Sequence, residues 1–277
     1  MPVLRDPDSL RKWRQQLRGS LAFVPTMGHL HAGHLALLRL AQSRAEQVLV
    51  SIYVNPLQFG PGEDFGSYPR SVEEDLRKLA EAGCTTVFVP SDAGLYPGGA
   101  EAQTRIVPPA RLTDILCGTQ RPGHFSGVAT VILKLLHLAE PDILVLGEKD
   151  YQQYHIIRQM LSDLNLATQL LCGPTQRDAD GLALSSRNSR LSAEQRARAP
   201  QLAAELRRLC QLPQNMPPQP AAQEAALRLQ AAGFRVDYLQ LRDNETLQPV
   251  SEIRSGARWF AAAHLGAVRL IDNMAIP

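Results

Sequence analysis

Two histidines three positions apart, His31 and His34, are the residues of this chain best suited to chemistry. They lie in Phe23-Val24-Pro25-Thr26-Met27-Gly28-His29-Leu30-His31-Ala32-Gly33-His34, where an apolar stretch runs into a glycine-containing turn. Residues three apart share one side of a helical turn, so the two imidazoles face one place. A strand–turn–helix unit also gathers backbone N–H groups and the positive end of a helix dipole, which suits a phosphate. The chemistry to expect is neutralisation of charge that builds on a phosphate under attack. Two histidines also suit zinc, but no third Cys, Asp or His ligand stands nearby in the sequence. Farther along, Lys149 beside Asp150, the run Ser185-Ser186-Arg187, and the amides Gln58 and Gln153 offer more polar groups. Hydroxyls and a guanidinium suit phosphate oxygens. A neutral amide donates and accepts, so it can orient a carboxylate without a salt bridge. Each has a plainer reading: a surface ion pair for Lys149 and Asp150, a polar turn for Ser185–Arg187, a solvated loop residue for Gln58. Gln153 is equally well the far half of a helix cap begun at Asp150.

The elements that must position these groups alternate. Apolar runs at 21–24, 48–54, 85–89, 142–146 and 168–171 read as strands, and the helical pattern around Leu35, Leu38, Ala41 and Ala45 follows the first of them. Helices are expected at 71–83, 128–138 and 150–164; Ser71 with Glu74 forms a capping box for the first. Such alternation predicts an α/β fold, a Rossmann-like parallel sheet with helices on both faces. Ligands in these sheets sit beyond the carboxyl ends of the strands, and the polar motifs here follow strands. From about residue 176 the texture changes to a long helix capped by Ser192 and Gln195, a Pro- and Gln-rich connector at 211–223, a helix ending at Gly233, and strands at 234–241 and 267–271. The expected division is a nucleotide-binding domain over 1–175 and a smaller α+β domain over 176–277, with 177–181 as the hinge.

Composition sets the outer bounds. The chain has 277 residues, 44% hydrophobic and 20% charged, enough for one large or two moderate cores. A net charge of +2 does not by itself imply nucleic acid or a membrane surface as partner. No apolar run is long enough to span a bilayer, and residues 1–18 lack the apolar core of a secretory signal, so a cytoplasmic location is expected. Cys84, Cys117, Cys172 and Cys210 form no CxxC pair and read as free thiols.

The string Pro25-Thr26-Met27-Gly28-x-Leu30-His31-x-Gly33-His34 contains the His-x-Gly-His signature of the nucleotidyltransferase superfamily and resembles, more specifically, the pantoate–β-alanine ligases. Further segments resemble that family in its own order: Asn55-Pro56-Leu57-Gln58-Phe59, Tyr68-Pro69-Arg70, Arg121-Pro122-Gly123-His124-Phe125-Ser126-Gly127-Val128, Gly147-Glu148-Lys149-Asp150-Tyr151-Gln152-Gln153, and Asp180-Gly181-Leu182-Ala183-Leu184-Ser185-Ser186-Arg187-Asn188. The resemblance implies that ATP and pantoate form pantoyl adenylate and pyrophosphate with Mg²⁺, and that β-alanine then displaces AMP. It implies catalytic roles for His34, His31 and Lys149. ATP would meet Met27, Gly28, His29, Leu30, His31, Ala32, Gly33 and His34, then Gly147, Glu148, Lys149 and Asp150, and then Gln176, Leu184, Ser185, Ser186 and Arg187. Gln58 and Gln153 would hold pantoate, and Gln58 would border β-alanine. Mg²⁺ is expected on the phosphates near Asp150, and the assembly as a homodimer. Leu146, Leu184 and Gln176 depart from the common family pattern, so backbone rather than side-chain contacts are implied there. Arg121 and His124 fit a flexible loop or a subunit contact and stay outside the catalytic set. Two other functions use the same turn: a nucleotidyltransferase acting on a phosphorylated cofactor precursor, and a nucleotide-binding regulator without catalysis. A phosphorylated substrate would call for Arg or Lys at positions 58 and 153. A regulator would not need His31, His34, Lys149 and Arg187 together.

Overall fold

The computed structural model describes residues 1–277 and divides into two compact units. The first comprises 1–148 and 153–174; the second comprises 149–152 and 175–277. Residues 149–152 thus group with the second unit although the chain on both sides of them belongs to the first.

In the first unit, β1 (Val3–Leu4), α1 (Pro7–Gln16), β2 (Leu21–Thr26), α2 (Ala32–Gln42), β3 (Gln47–Ile52), α3 (Val72–Glu81) and β4 (Thr86–Phe88) are followed by three single-turn helices. These are α4 (Asp92–Leu95), α5 (Ala110–Thr113) and α6 (Cys117–Gln120). Then come α7 (His124–Ala139), β5 (Ile143–Gly147), α8 (Tyr151–Asp163) and β6 (Gln169–Gly173). The six strands are all parallel, in the order β1-β4-β3-β2-β5-β6. The chain builds outward from β2 to β4, then crosses to β5 and β6, so the order reverses between β2 and β5. In open α/β sheets the crevice at that reversal, beyond the strand ends, is where ligands bind. Side chains alternate between the faces. Leu21, Phe23, Leu49, Phe88 and Leu144 pack with Leu10 of α1, Val128 and Ile132 of α7 and Ile157 of α8. Ala22, Val24, Val48, Val50, Val87 and Val145 pack with Leu38 of α2 and Leu79 of α3. Burying each such Val, Leu, Ile or Phe side chain stabilises by about 1.5–3 kcal/mol.

Several elements differ from expectation. Residues 1–18, read as a polar terminus, supply β1 and α1; Asp6 and Ser9 make a reciprocal cap and Pro7 presets the first turn. Ser71 precedes α3 but makes no cap bond. Glu74, its expected partner, is instead paired with Lys78 at 2.8 Å, and the Ser71 hydroxyl lies 3.3 Å from His29 Nδ1. Helix α7 starts at His124 rather than 128.

The second unit holds α9 (Ala193–Arg198), α10 (Gln201–Cys210), α11 (Pro218–Ala231), β7 (Phe234–Asp243), β8 (Ala257–Leu265) and β9 (Val268–Ala275). The strands form an antiparallel sheet in the order β7-β8-β9. Leu202, Leu206 and Leu209 of α10 and Leu229 of α11 pack with Leu241, Trp259, Ala261 and Leu270 of the sheet. The reciprocal Ser192–Gln195 cap is present, but the long helix is broken into α9 and α10, with Pro200 between them removing a backbone donor. The connector is shorter than 211–223, because Pro218 opens α11 rather than extending the linker. Residues 177–181 are fastened rather than loose. Arg177 makes two bonds to Asp272, at 2.6 and 2.9 Å, and Arg196 reaches Asp178 and Asp180 at 2.9 and 2.5 Å.

Candidate active site

Strand β2 ends in a turn whose backbone is left-handed at two successive residues, Gly28 (φ 79°) and His29 (φ 51°). Glycine is required at the first: an added Cβ would lie 3.0 Å from Ile52 Cγ2 and 3.1 Å from Asp75 Oδ2. His31 then caps α2 in place of the usual Ser or Asp. Gly33 N–H donates to His31 Nδ1 at 3.1 Å, and His31 N–H donates to His34 Nδ1 at 3.3 Å. Each Nδ1 therefore acts as an acceptor, which fixes the neutral tautomer of both rings with the proton on Nε2. The ring centroids lie 4.1 Å apart. The turn thus presents two Nε2–H donors side by side.

The turn's backbone amides are used differently from expectation. Gly28 N–H donates to Thr26 Oγ1 at 3.2 Å, while His29 and Leu30 N–H each reach the Asp75 carboxylate at 2.7 Å. His34 N–H closes on His31 O at 2.9 Å. These donors are committed inside the protein.

Gln58, in a short helical turn after β3, is buried and fixed from both ends. Its Oε1 accepts from Asn55 Nδ2 at 3.1 Å and its Nε2 faces Met27 Sδ at 3.2 Å. Sulfur is a weak acceptor, so the Nε2–H groups are the ones left to offer a ligand. Asn55 is held in turn by the Tyr96 hydroxyl, which donates to its Oδ1 at 2.8 Å; burial pushes the Tyr96 phenol well above its ordinary range and keeps it protonated. Arg121 and His124, set aside as loop or contact residues, converge on the Gln58 carbonyl. His124 Nδ1–H donates to it at 2.7 Å and Arg121 Nη2 at 3.2 Å. Arg121 also donates to His124 Nε2 at 3.0 Å and makes a forked pair with Glu63 at 2.8 and 2.5 Å. The close approach this needs is permitted by Gly127, where a Cβ would stand 2.1 Å from the Leu57 carbonyl oxygen. Gln153 stands half-buried in α8 of the same unit.

In the second unit, Lys149 and Asp150 sit in a single 3-10 turn, with Nζ 4.0 Å from Asp150 Oδ1. Asn273 of β9 donates to the Lys149 carbonyl at 2.9 Å, and Arg258 of β8 lies 3.8 Å over the Tyr151 ring. Ser185 caps the 186–190 turn by accepting from Arg187 N–H at 3.3 Å. The Gln176 carbonyl accepts from Leu184 N–H at 2.9 Å. Lys149 and Ser185, distant in sequence, line one small cavity of about 10 Å³ with Asn188 and Asp272, room for about one water. No three His, Cys, Asp or Glu side chains converge as a metal cage. A lone half-exposed carboxylate, Asp150, fits a Mg²⁺ carried on nucleotide phosphates, which that ion binds with one or two carboxylates. Asp75, Asn55, Tyr96 and Asn273 were not foreseen from sequence. Asn55 alone had a local signal, its place in the Asn-Pro-Leu-Gln-Phe segment.

A parallel sheet whose first motif, after the strand at the order reversal, is a His-x-Gly-His turn with paired Nε2–H donors defines a nucleotide-handling α/β enzyme. The comparisons narrow it. The chain belongs to the pantoate–β-alanine ligase family, whose profile matches residues 2–275. It is 56% identical over 280 residues to the pantothenate synthetase of Acidithiobacillus ferrooxidans, covering 100% of both chains. The crystal structure of pantothenate synthetase from Thermus thermophilus superposes with a TM-score of 0.93 at 41% identity, over 100% of this chain and 99% of that one. A pantoate–β-alanine ligase from Francisella tularensis, crystallised with β,γ-ATP and β-alanine, gives 0.86 at 36% identity over 99% and 97%. No helix of the structure is long and apolar enough to cross a membrane.

Proposed function

We propose that this chain condenses (R)-pantoate with β-alanine, using ATP, through a pantoyl adenylate, and releases pyrophosphate and AMP. Family membership supports the substrates, and the observation that carries the mechanism is the pair of imidazoles with both Nδ1 atoms tied to backbone N–H. Attack of a carboxylate on the α-phosphorus needs in-line placement and charge stabilisation rather than a protein nucleophile. His31 and His34 present Nε2–H donors that need not reorganise as charge grows on the phosphate, and Lys149 supplies a cation. Ser185, Ser186 and Arg187 hold phosphate oxygens, and the backbone at 27–34, 147–150, 176 and 184 lines the nucleotide. Gln58 donates Nε2–H to pantoate and borders β-alanine; Gln153 takes the other side of pantoate. Neutral amides at both places suit a hydroxy acid and not a phosphorylated acceptor. Asp150 would hold Mg²⁺ on the phosphates, where the ion neutralises their charge. The second unit acts as a lid, and the enzyme works as a cytoplasmic homodimer.

The route is tested with pantoate labelled with ¹⁸O in its carboxylate. One labelled oxygen is expected in AMP, since amine attack at the acyl carbon leaves the bridging oxygen on phosphorus. Label in inorganic phosphate, with ADP as co-product, would contradict an adenylate.

A further inference from the structure

The catalytic turn is gripped from outside by a helix that carries none of the residues assigned above. Helix α3 reaches it at three points. Asp75, fully buried, accepts Leu30 N–H on Oδ1 and His29 N–H on Oδ2, both at 2.7 Å. One turn later, Lys78 Nζ donates to the Leu30 carbonyl at 2.8 Å. A buried carboxylate is costly unless its lone pairs are satisfied, and here two consecutive backbone amides satisfy it. Consecutive amides point the same way only because Gly28 and His29 are both left-handed. For His29, a side-chain-bearing residue, that conformation costs on its own and persists where the surroundings impose it. His31, whose tautomer and direction depend on this turn, follows two residues later.

We propose that Asp75, seconded by Lys78, is the positioning residue of the His31–His34 pair. Its carboxylate occupies the place an anion would take at the turn's amides. It thereby holds the left-handed backbone, and with it the placement of the two rings that follow, before any nucleotide arrives. This rests on the adenylating role proposed above for those histidines.

The test uses the full-length chain and the variants Asp75→Asn and Lys78→Met. The asparagine keeps the shape but turns one acceptor into a donor facing a backbone N–H. Imidazole ¹⁵N–¹H correlation spectra should show His31 and His34 in the Nε2–H form in the parent chain, with displaced shifts or mixed tautomers in Asp75→Asn. ATP–pyrophosphate exchange at saturating substrates should fall by about 10²-fold, the loss expected for a misplacement of about 1 Å. The KM for pantoate should stay within about twofold. Should Asp75→Asn fail to fold, Lys78→Met, which removes the bond to the Leu30 carbonyl and the ion pair with Glu74 at a partly exposed position, is expected to shift the same ring signals and slow exchange severalfold. A folded Asp75→Asn, or failing that a folded Lys78→Met, with parent ring spectra and parent exchange overturns the proposal. If the parent chain itself lacks pantoate-dependent exchange, the adenylating role fails, and the ring spectra alone decide whether Asp75 sets the turn.

Discussion

His34 and Gln153 are assigned opposite duties, and the duties separate in kinetics. A donor that strengthens only as charge develops on phosphorus raises kcat, whereas one that binds the acid equally throughout lowers KM. His34→Ala is therefore expected to lower kcat by about 10²–10³-fold with little change in the KM for pantoate. Gln153→Ala should raise that KM by about tenfold or more, the worth of a hydrogen bond to a charged group, and leave the KM for ATP unaltered. Steady-state kinetics on folded variants checks both; a Gln153→Ala that lost ATP affinity selectively would contradict the placement of the acid pocket. The sequence made these side chains visible through the glycine turn that carries His34 and through the family resemblance of the segment that carries Gln153. It hid those that hold them. Asp75 reads as an acidic residue in the first turn of a helix, which the helix dipole explains without any further partner. Arg121 and His124 read as loop residues, because only the folded chain brings them to the carbonyl of Gln58, over sixty positions away.

At the scale of elements, five of the six parallel strands were legible as apolar runs alternating with helical patterns, since both faces of the sheet are covered; the two-residue β1 was not. Nor was strand β8. Its Ala261-Ala262-Ala263 centre has low β-propensity, and its burial on both faces erases the polar alternation that marks a strand. Pro200 outweighed a helical period, and the Lys78 ammonium outcompeted the Ser71 cap for Glu74. The turn between β7 and β8 yields a pH prediction. Asp243 accepts from Thr246 and Glu245 N–H and from Arg254, at 2.9, 3.1 and 2.7 Å. Chiefly the Thr246 backbone bond holds its pKa at about 2 against an ordinary 3.8. The folded chain binds fewer protons there than the unfolded one, so this contribution is present in full above about pH 4 and is lost as pH falls toward 2. In urea unfolding of the second unit's signals, stability should decline between pH 4 and 2, and Asp243→Asn should flatten that decline. An equal slope in the variant would place the titration elsewhere.

For the whole molecule, the expected boundary at residue 175 misses one thing the folded chain shows: residues 149–152 belong with the second unit. No local pattern encodes this, because it rests on Asn273 and Arg258 of the distant β9 and β8 reaching back to Lys149 and Tyr151. With the second unit proposed as a lid, Lys149 travels with Ser185, Ser186 and Arg187. Hydrogen exchange should then slow over 176–190 and 149–152 together when ATP and a non-reactive pantoate analogue bind, and Arg187→Ala should diminish both effects. Slowing in one segment without the other would contradict a shared lid. The central claim, that an acyl adenylate forms before β-alanine takes part, is tested most directly by exchange of labelled pyrophosphate into ATP. The account predicts exchange that requires pantoate and proceeds without β-alanine. Exchange that appears only when β-alanine is added would contradict it.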